Sequence, residues 1–229
     1  MLVPLTREKF EQIIPVIATG PQYAYYWGQV SDFLQRLLIS FIAVIVCLLL
    51  GAILGKTLSL ILSVIAGLYW LWSPIYLASL KNISYRKYKY SGFWRGKVLD
   101  LYITEEVVGE QKSANQRGEL VVVENRERVL NLEIGDETGF FVEIKAPLKR
   151  IYKVIQPGAT AELLVLSNQR DLSKIEQVTD AYLPRYNLWI GEYPWLRRDI
   201  FRDVSRELGG KRNNPPPSSR SNRYLNRPY

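Results

Sequence analysis

Hydrophobic and polar positions divide the chain into regimes. From Leu37 to Leu80 apolar residues run almost unbroken, and Lys56 is the single charge. From Val98 to Leu208 the chain turns polar, with apolar residues often alternating at period two. From Lys211 on it is basic and rich in proline, serine and asparagine. The apolar run would be about 66 Å long as one helix, at about 1.5 Å per residue. A bilayer core is only about 30 Å thick. One straight span is therefore excluded, and the pattern predicts a helical hairpin of two spans, 37–55 and 57–80, folded back at Gly55-Lys56-Thr57.

Flanking charge orients the hairpin. Its tip carries Lys56 alone, whereas the other side carries Arg36 and then Lys81, Arg86, Lys87, Lys89, Arg95 and Lys97, with no acid between Lys81 and Lys97. The positive-inside rule places both termini in the cytoplasm, or the stroma of a plastid. Tyr69, Trp70, Trp72 and Tyr76, with Tyr23, Tyr25, Tyr26 and Trp27, supply aromatic anchors at that end. Those six basic residues are expected to meet anionic lipid headgroups and set orientation, at up to about 1 kcal/mol each. Gly51, Gly55, Ser59, Ser63 and Gly67 form a small-residue stripe that permits close helix approach. It serves either to pack the two spans together or to dock a helix of another membrane protein. No secretory signal is expected, since Arg7, Glu8, Lys9 and Glu11 precede any apolar run.

Strand-like runs at Val98–Ile103, Leu120–Val123, Val129–Ile134, Phe140–Ile144 and Ala161–Leu166 are separated by turn signals at Gly118, Gly135-Asp136-Glu137 and Pro157-Gly158. They predict a small, mainly antiparallel barrel, SH3-like or OB-like. A short helix follows, with Pro194 suited to its first turn and Gly209-Gly210 to its stop. Leu196, Ile200, Val204 and Leu208 recur every four residues on that helix, a stripe that either caps the barrel or meets a partner. The fold class is thus membrane-anchored α+β: an N-terminal cytoplasmic or interfacial segment (1–36), the hairpin (37–80), a basic juxtamembrane segment (81–97), a soluble β domain with a terminal helix (98–208), and a disordered basic tail (209–229).

Composition then removes chemistries. The chain has no histidine and one cysteine, Cys47, inside the apolar run. This excludes His-based general base catalysis, Ser–His–Asp and Cys–His nucleophiles, the commonest metal sites, His ligation of haem or chlorophyll, and an intrachain disulfide. Gly51 to Thr57, GAILGKT, imitates a phosphate-binding loop, but three residues instead of four separate its glycines and it ends an apolar helix. Glu105-Glu106 point to opposite faces of a strand, and Asp136-Glu137 sit in a turn. No catalytic residue, cofactor or metal ligand is assigned, and an enzyme is not expected. Charge is uneven: 98–208 carries 19 acidic against 15 basic residues, whereas the juxtamembrane stretch and tail are wholly basic. Without an RNA-binding motif, specific nucleic-acid binding is not expected either.

The stretches NISYRKYKYSGFWRGKV (82–98) and TDAYLPRYNLWIGEYPWLRRDIF (179–201), with the hairpin, resemble a conserved two-span thylakoid protein of cyanobacteria and plastids. That protein often carries the label "phosphate ABC transporter permease". A permease needs about five or six spans, which conflicts with the label. The resemblance implies instead an accessory factor of the photosynthetic membrane, engaged in photosystem II biogenesis, with assembly intermediates as partners; it implies no functional residues. The expectation is a non-catalytic assembly or stability factor that contacts its complex through the small-residue stripe and through Trp189, Tyr193, Trp195, Arg197, Arg198 and Arg202. The alternatives are an accessory or regulatory subunit of a transporter and, third, a membrane-surface sensor.

Overall fold

A computed structural model describes residues 1–28, 30–114 and 120–213. It is an α+β chain: an apolar helical region near the N-terminus, then an antiparallel sheet and a C-terminal helix. The chain opens with β1 (Leu2–Leu5), α1 (Arg7–Ile13) and α2 (Gly20–Trp27). Thr6 starts α1 by accepting the Lys9 amide on its hydroxyl. Helix α3 (Val30–Leu49) continues through the short α4 (Gly51–Leu54), and Val30–Ile53 is long and apolar enough to cross a membrane. Only 6% of its most apolar window is buried inside the protein, so it is no core helix. Gly55, at φ +84°, makes the fold-back, in a backbone region that side chains other than glycine strain to adopt.

The return path departs from the expected single span, 57–80. It breaks at Leu68 into α5 (Lys56–Gly67) and α6 (Tyr69–Arg86), whose axes differ by 69°. At about 1.5 Å per residue α5 is about 18 Å long, short of a bilayer core. A break frees backbone polar groups, which an apolar setting penalises. Here the Trp70 amide donates to Ser40 Oγ of α3 at 3.2 Å, and Trp72 Nε1 donates to the Ile65 carbonyl at 3.0 Å.

The sheet comprises β2 (Tyr90–Ala114), β3 (Leu120–Gly135), β4 (Phe141–Pro147), β5 (Thr160–Ser167), β6 (Gln177–Val178), β7 (Ala181–Leu183) and β8 (Leu188–Ile190). All pairings are antiparallel, in the order β4-β3-β2-β5-β7-β8, with β1 beside β2 and β6 beside β5. Sequence reading opens the β region at Val98, yet β2 starts at Tyr90, so the basic segment 81–97 is shared between α6 and β2. Gly92 and Gly96 disguise this strand as a loop. A Cβ on Gly92 would lie 2.6 Å from Leu172 Cδ1 and 2.8 Å from Leu2 Cδ1, so the residue lets neighbours reach the backbone.

Two cores result. One face of the sheet encloses Trp94, Val98, Leu132, Ile134, Leu163 and Val165. The other packs Phe93, Leu164, Leu166 and Tyr182 against α1, the 193–196 segment and helix α7 (Arg198–Asn213). Strand β5, buried on both faces, separates them. β4 and β8 approach each other, but no ladder joins them among the described residues. The strand pairing establishes a curled antiparallel sheet, and an SH3-like or OB-like barrel goes beyond it. Leu196, just before α7, and Phe201 and Val204 along it are buried, which is the capping arrangement. The helix begins four residues after Pro194, not at it, and runs through Gly209-Gly210 to Asn213. The remainder of the expected disordered tail, from 214, lies outside the described residues.

Candidate functional site

The features that hold the apolar helices to the sheet meet around the C-terminal half of α6. One face of this helix, Ser73, Pro74, Ala78 and Asn82, is buried. Asn82 and Gln22 of α2, both fully buried, exchange two side-chain hydrogen bonds of 2.9 Å. Gln22 also donates to the Trp195 carbonyl at 3.3 Å and accepts the Thr19 amide at 3.0 Å. The amide pair therefore ties α2, α6 and the segment before α7 at one point. Satisfied buried polar groups of this kind specify geometry, because any other arrangement leaves them unpaired. Beside it the Tyr85 and Trp195 rings stack at 3.3 Å, and Tyr85 Oη donates to Gln177 Oε1 at 3.2 Å.

Lys81 occupies an aromatic box. Its Nζ lies 4.1 Å from the Tyr193 ring centroid, 5.2 Å from Trp195 and 5.6 Å from Tyr25. These are cation–π distances. Two clefts flank the box, of about 360 and 220 Å³, and share Asp180, Gly191, Glu192 and Tyr193. The larger runs between α6 and β4, past Ser84, Glu143 and Lys145; the smaller includes Lys149, Trp189 and Arg198.

Asp180 is the carboxyl beneath this junction. Its Oδ1 accepts the Trp195 amide at 3.1 Å, which pins the bent 193–196 segment, where Trp195 also turns back on the Tyr193 carbonyl, and keeps a helix from starting at Pro194. Gly191 lies so close that an added Cβ would stand 2.7 Å from Asp180 Cβ. Burial pushes the Asp180 carboxyl up to about 7, against backbone hydrogen bonds and the Arg198 charge that pull it down. Burial likewise raises the Tyr193 phenol.

The expected headgroup residues divide. Arg86 donates to the Glu11 and Ile14 carbonyls at 2.9 and 2.8 Å and pairs with the Glu11 carboxylate at 2.8 Å, closing the end of α1. Arg95, half-buried, pairs with buried Glu162, its partner across β2–β5, at 2.7 Å. Lys81 is boxed as described. Lys87, Lys89 and Lys97 are exposed. Of the expected partner residues, Tyr193 and Trp195 are buried in the second core, and Trp189 stacks on Tyr182 at 4.6 Å. Arg198 lies over Trp189 at 5.6 Å, Arg197 pairs with Asp199 at 3.0 Å, and Arg202 Nε donates to the Arg198 carbonyl.

In the stripe, Gly51 meets Ser59 and Gly67 meets Val44 of α3. Ser59 Oγ donates to the Cys47 carbonyl at 2.5 Å. Gly55 forms the corner, and half-buried Ser63 donates to the Leu60 carbonyl of its own helix. Of the acidic pairs, Glu105 and Glu106 bridge to Arg128 and Lys145. Asp136 organises its turn: it accepts Trp94 Nε1 at 2.7 Å and the Thr138 amide at 2.9 Å, bonds that hold its carboxyl well below the usual range despite desolvation. Sequence reading missed Gln22, Asn82 and Asp180. Asn82 continues the Pro74–Ala78 spacing of four, the one signal that could have placed it on a buried face.

The fold and junction define a class: a chain whose apolar helices, one of membrane-spanning length, are locked through polar and aromatic contacts to an antiparallel sheet. No group of His, Cys, Asp and Glu side chains able to hold a metal ion occurs among the described residues. Residues 3–214 match the family described as "Family of unknown function (DUF8619)", and the chain belongs to that family. No curated protein and no solved structure matches it.

Proposed function

We propose that the chain is a non-catalytic, membrane-anchored accessory protein. Its hairpin sits in the bilayer, both termini face the cytoplasm or stroma, and the sheet domain presents a binding surface at a fixed height. The carrying observation is the locked junction of Gln22, Asn82, Tyr85 and Trp195, which joins the apolar helices rigidly to the sheet. A domain that merely needed tethering would require no such fixture. The bare outer surface of α3 supports placement in lipid.

Within that class the role proposed is assembly or stability of a photosynthetic complex in the thylakoid, with photosystem II biogenesis as the process. This assignment is supported by the resemblance of segments 82–98 and 179–201. Exposed Arg198 and the adjoining Arg197 and Arg202 would carry partner contact at the start of α7.

The test is affinity capture of tagged full chain from gently solubilised native membranes, with mass spectrometry of the partners. Recovery of reaction-centre subunits with assembly factors, but not the mature complex, is expected. Recovery of a multispan transporter with its ATPase would overturn the assembly role in favour of a transport accessory.

A further inference from the structure

We infer that α6 is not the second half of a transmembrane span but an interfacial helix, lying in the headgroup–acyl boundary of the bilayer and seating the sheet domain on the lipid. The inference rests on the membrane reading above and deepens it.

Four observations carry it. First, the 69° bend turns α6 far from the direction of α5, so that it climbs only about 0.5 Å per residue along the α5 axis, against about 1.5 Å for an upright helix. Second, the bend sits just below the headgroups, about 6 Å inward of Arg36 at about 1.5 Å per residue, a depth at which interfacial helices bury their apolar face. Trp70 is held by Ser40, one turn beyond Arg36, whose charge belongs near the lipid surface. From Arg36 to Ile53 α3 rises about 26 Å, which leaves Lys56 at the far surface of a core about 30 Å thick. Third, a girdle of rings surrounds the bend: Trp27 with Phe33 and Trp70, and Tyr69, Trp72 and Tyr76 in sequence, all at 5.3 to 6.2 Å. Tyrosine and tryptophan concentrate at this depth in membrane proteins.

Fourth, α6 has two faces suited to two media. Asn82, Lys81 and Tyr85 engage α2 and the soluble domain. Trp72, Tyr76, Leu80 and Ile83 form an exposed stripe on the other side, and exposed Lys87 continues it where an ammonium would reach the phosphates. An apolar stripe of this kind, on the helix that leads directly out of the apolar hairpin, fits lipid as its occupant.

Spin-label depth measurements on the full chain in vesicles of phosphatidylcholine with a minority of phosphatidylglycerol test this. Native Cys47 gives the mid-bilayer reference. Trp72→Cys, Leu80→Cys and Ile83→Cys, each in a Cys47→Ser background, sample the stripe. Oxygen and nickel-chelate accessibility is expected to place all three at shallow depth, with about 6 Å between positions 72 and 83, against about 16 Å for an upright helix. Leu80→Cys and Ile83→Cys replace exposed aliphatic residues, so their depths stand even if Trp72→Cys perturbs the girdle. A gradient near the upright value, or labels shielded from both reagents by protein, overturns the inference while a deep Cys47 leaves the membrane reading intact. A water-accessible Cys47 overturns both.

Discussion

Asp180 shows how one carboxyl can set a local conformation and its pH response together. It lies fully enclosed, accepts the Trp195 amide, and faces the Arg198 charge from α7 and Lys81 and Glu192 across the shared clefts. Its carboxyl is pushed from 3.8 up to about 7, so between those values the folded chain keeps a proton that the unfolded chain releases. Stability therefore falls as pH rises through this window, by at most about 1.4 kcal/mol per pH unit for one proton. Asp180→Asn keeps an oxygen acceptor for Trp195 and cannot titrate. Thermal unfolding of the solubilised full chain between pH 4 and pH 7 should lose this slope in the variant, with the gain over wild type largest near pH 7. Parallel profiles for the two proteins would show that Asp180 does not titrate across folding. Charge counting could not anticipate such residues. Arg95 belonged by sequence to a basic run, and only the register that sets it opposite Glu162 removes it from the surface.

Among the elements, the hairpin is where small residues act by contact. A Cβ on Gly51 would stand 3.0 Å from Ser59 Oγ, and that hydroxyl is already committed to the Cys47 carbonyl. Gly51→Leu therefore overpacks the contact of α4 with α5 and disturbs the Ser59 hydrogen bond to the end of α3, with an expected cost of about 1–3 kcal/mol. Ser63→Leu, at a half-buried position of the same stripe whose hydroxyl bonds only its own helix, should cost less. Thermal melts of the two variants in detergent decide the matter, and equal melting temperatures would mean that the stripe does not pack the hairpin. The elements also mark the limit of what was legible. Unbroken hydrophobicity and a lone lysine reveal a fold-back, because burial follows from composition. The break at Leu68 leaves no such trace: its freed amide is satisfied by Ser40, 30 residues earlier, and its bend by a tryptophan that reads as an ordinary anchor. In the sheet, alternation marked five runs, but Leu120–Val123 and Val129–Ile134 belong to the one strand β3, and β2 ran eight residues further back under cover of two glycines. The junction was least legible, since an amide pair such as Gln22–Asn82 has no hydropathic signature and joins residues 60 apart.

For the whole molecule the question is whether the apolar helices and the sheet move as one body. The junction answers through α6: its buried amide pair and stacked ring fix the helix to α2 and Trp195, and Arg86 closes it onto the carbonyls that end α1. A factor that recognises its partner both in the membrane and above it gains from this, because docking at one level places the other without further ordering cost. Asn82→Ala with Tyr85→Ala removes the link and keeps every buried member of both cores in place, since Asn82 belongs to neither core and Tyr85 packs only against the outside of the second. Spin labels on native Cys47 and on Leu99→Cys, an exposed position of β2, report the distance between hairpin and sheet. The unlinked variant should broaden that distance distribution while a melt of the sheet still shows one cooperative transition, and it should weaken recovery of partners without preventing membrane insertion. An equally narrow distribution in both proteins would place the rigidity elsewhere and deprive the accessory reading of its carrying observation. A broad distribution already in the wild type would make the chain a flexible tether, for which a buried amide pair at the hinge has no use.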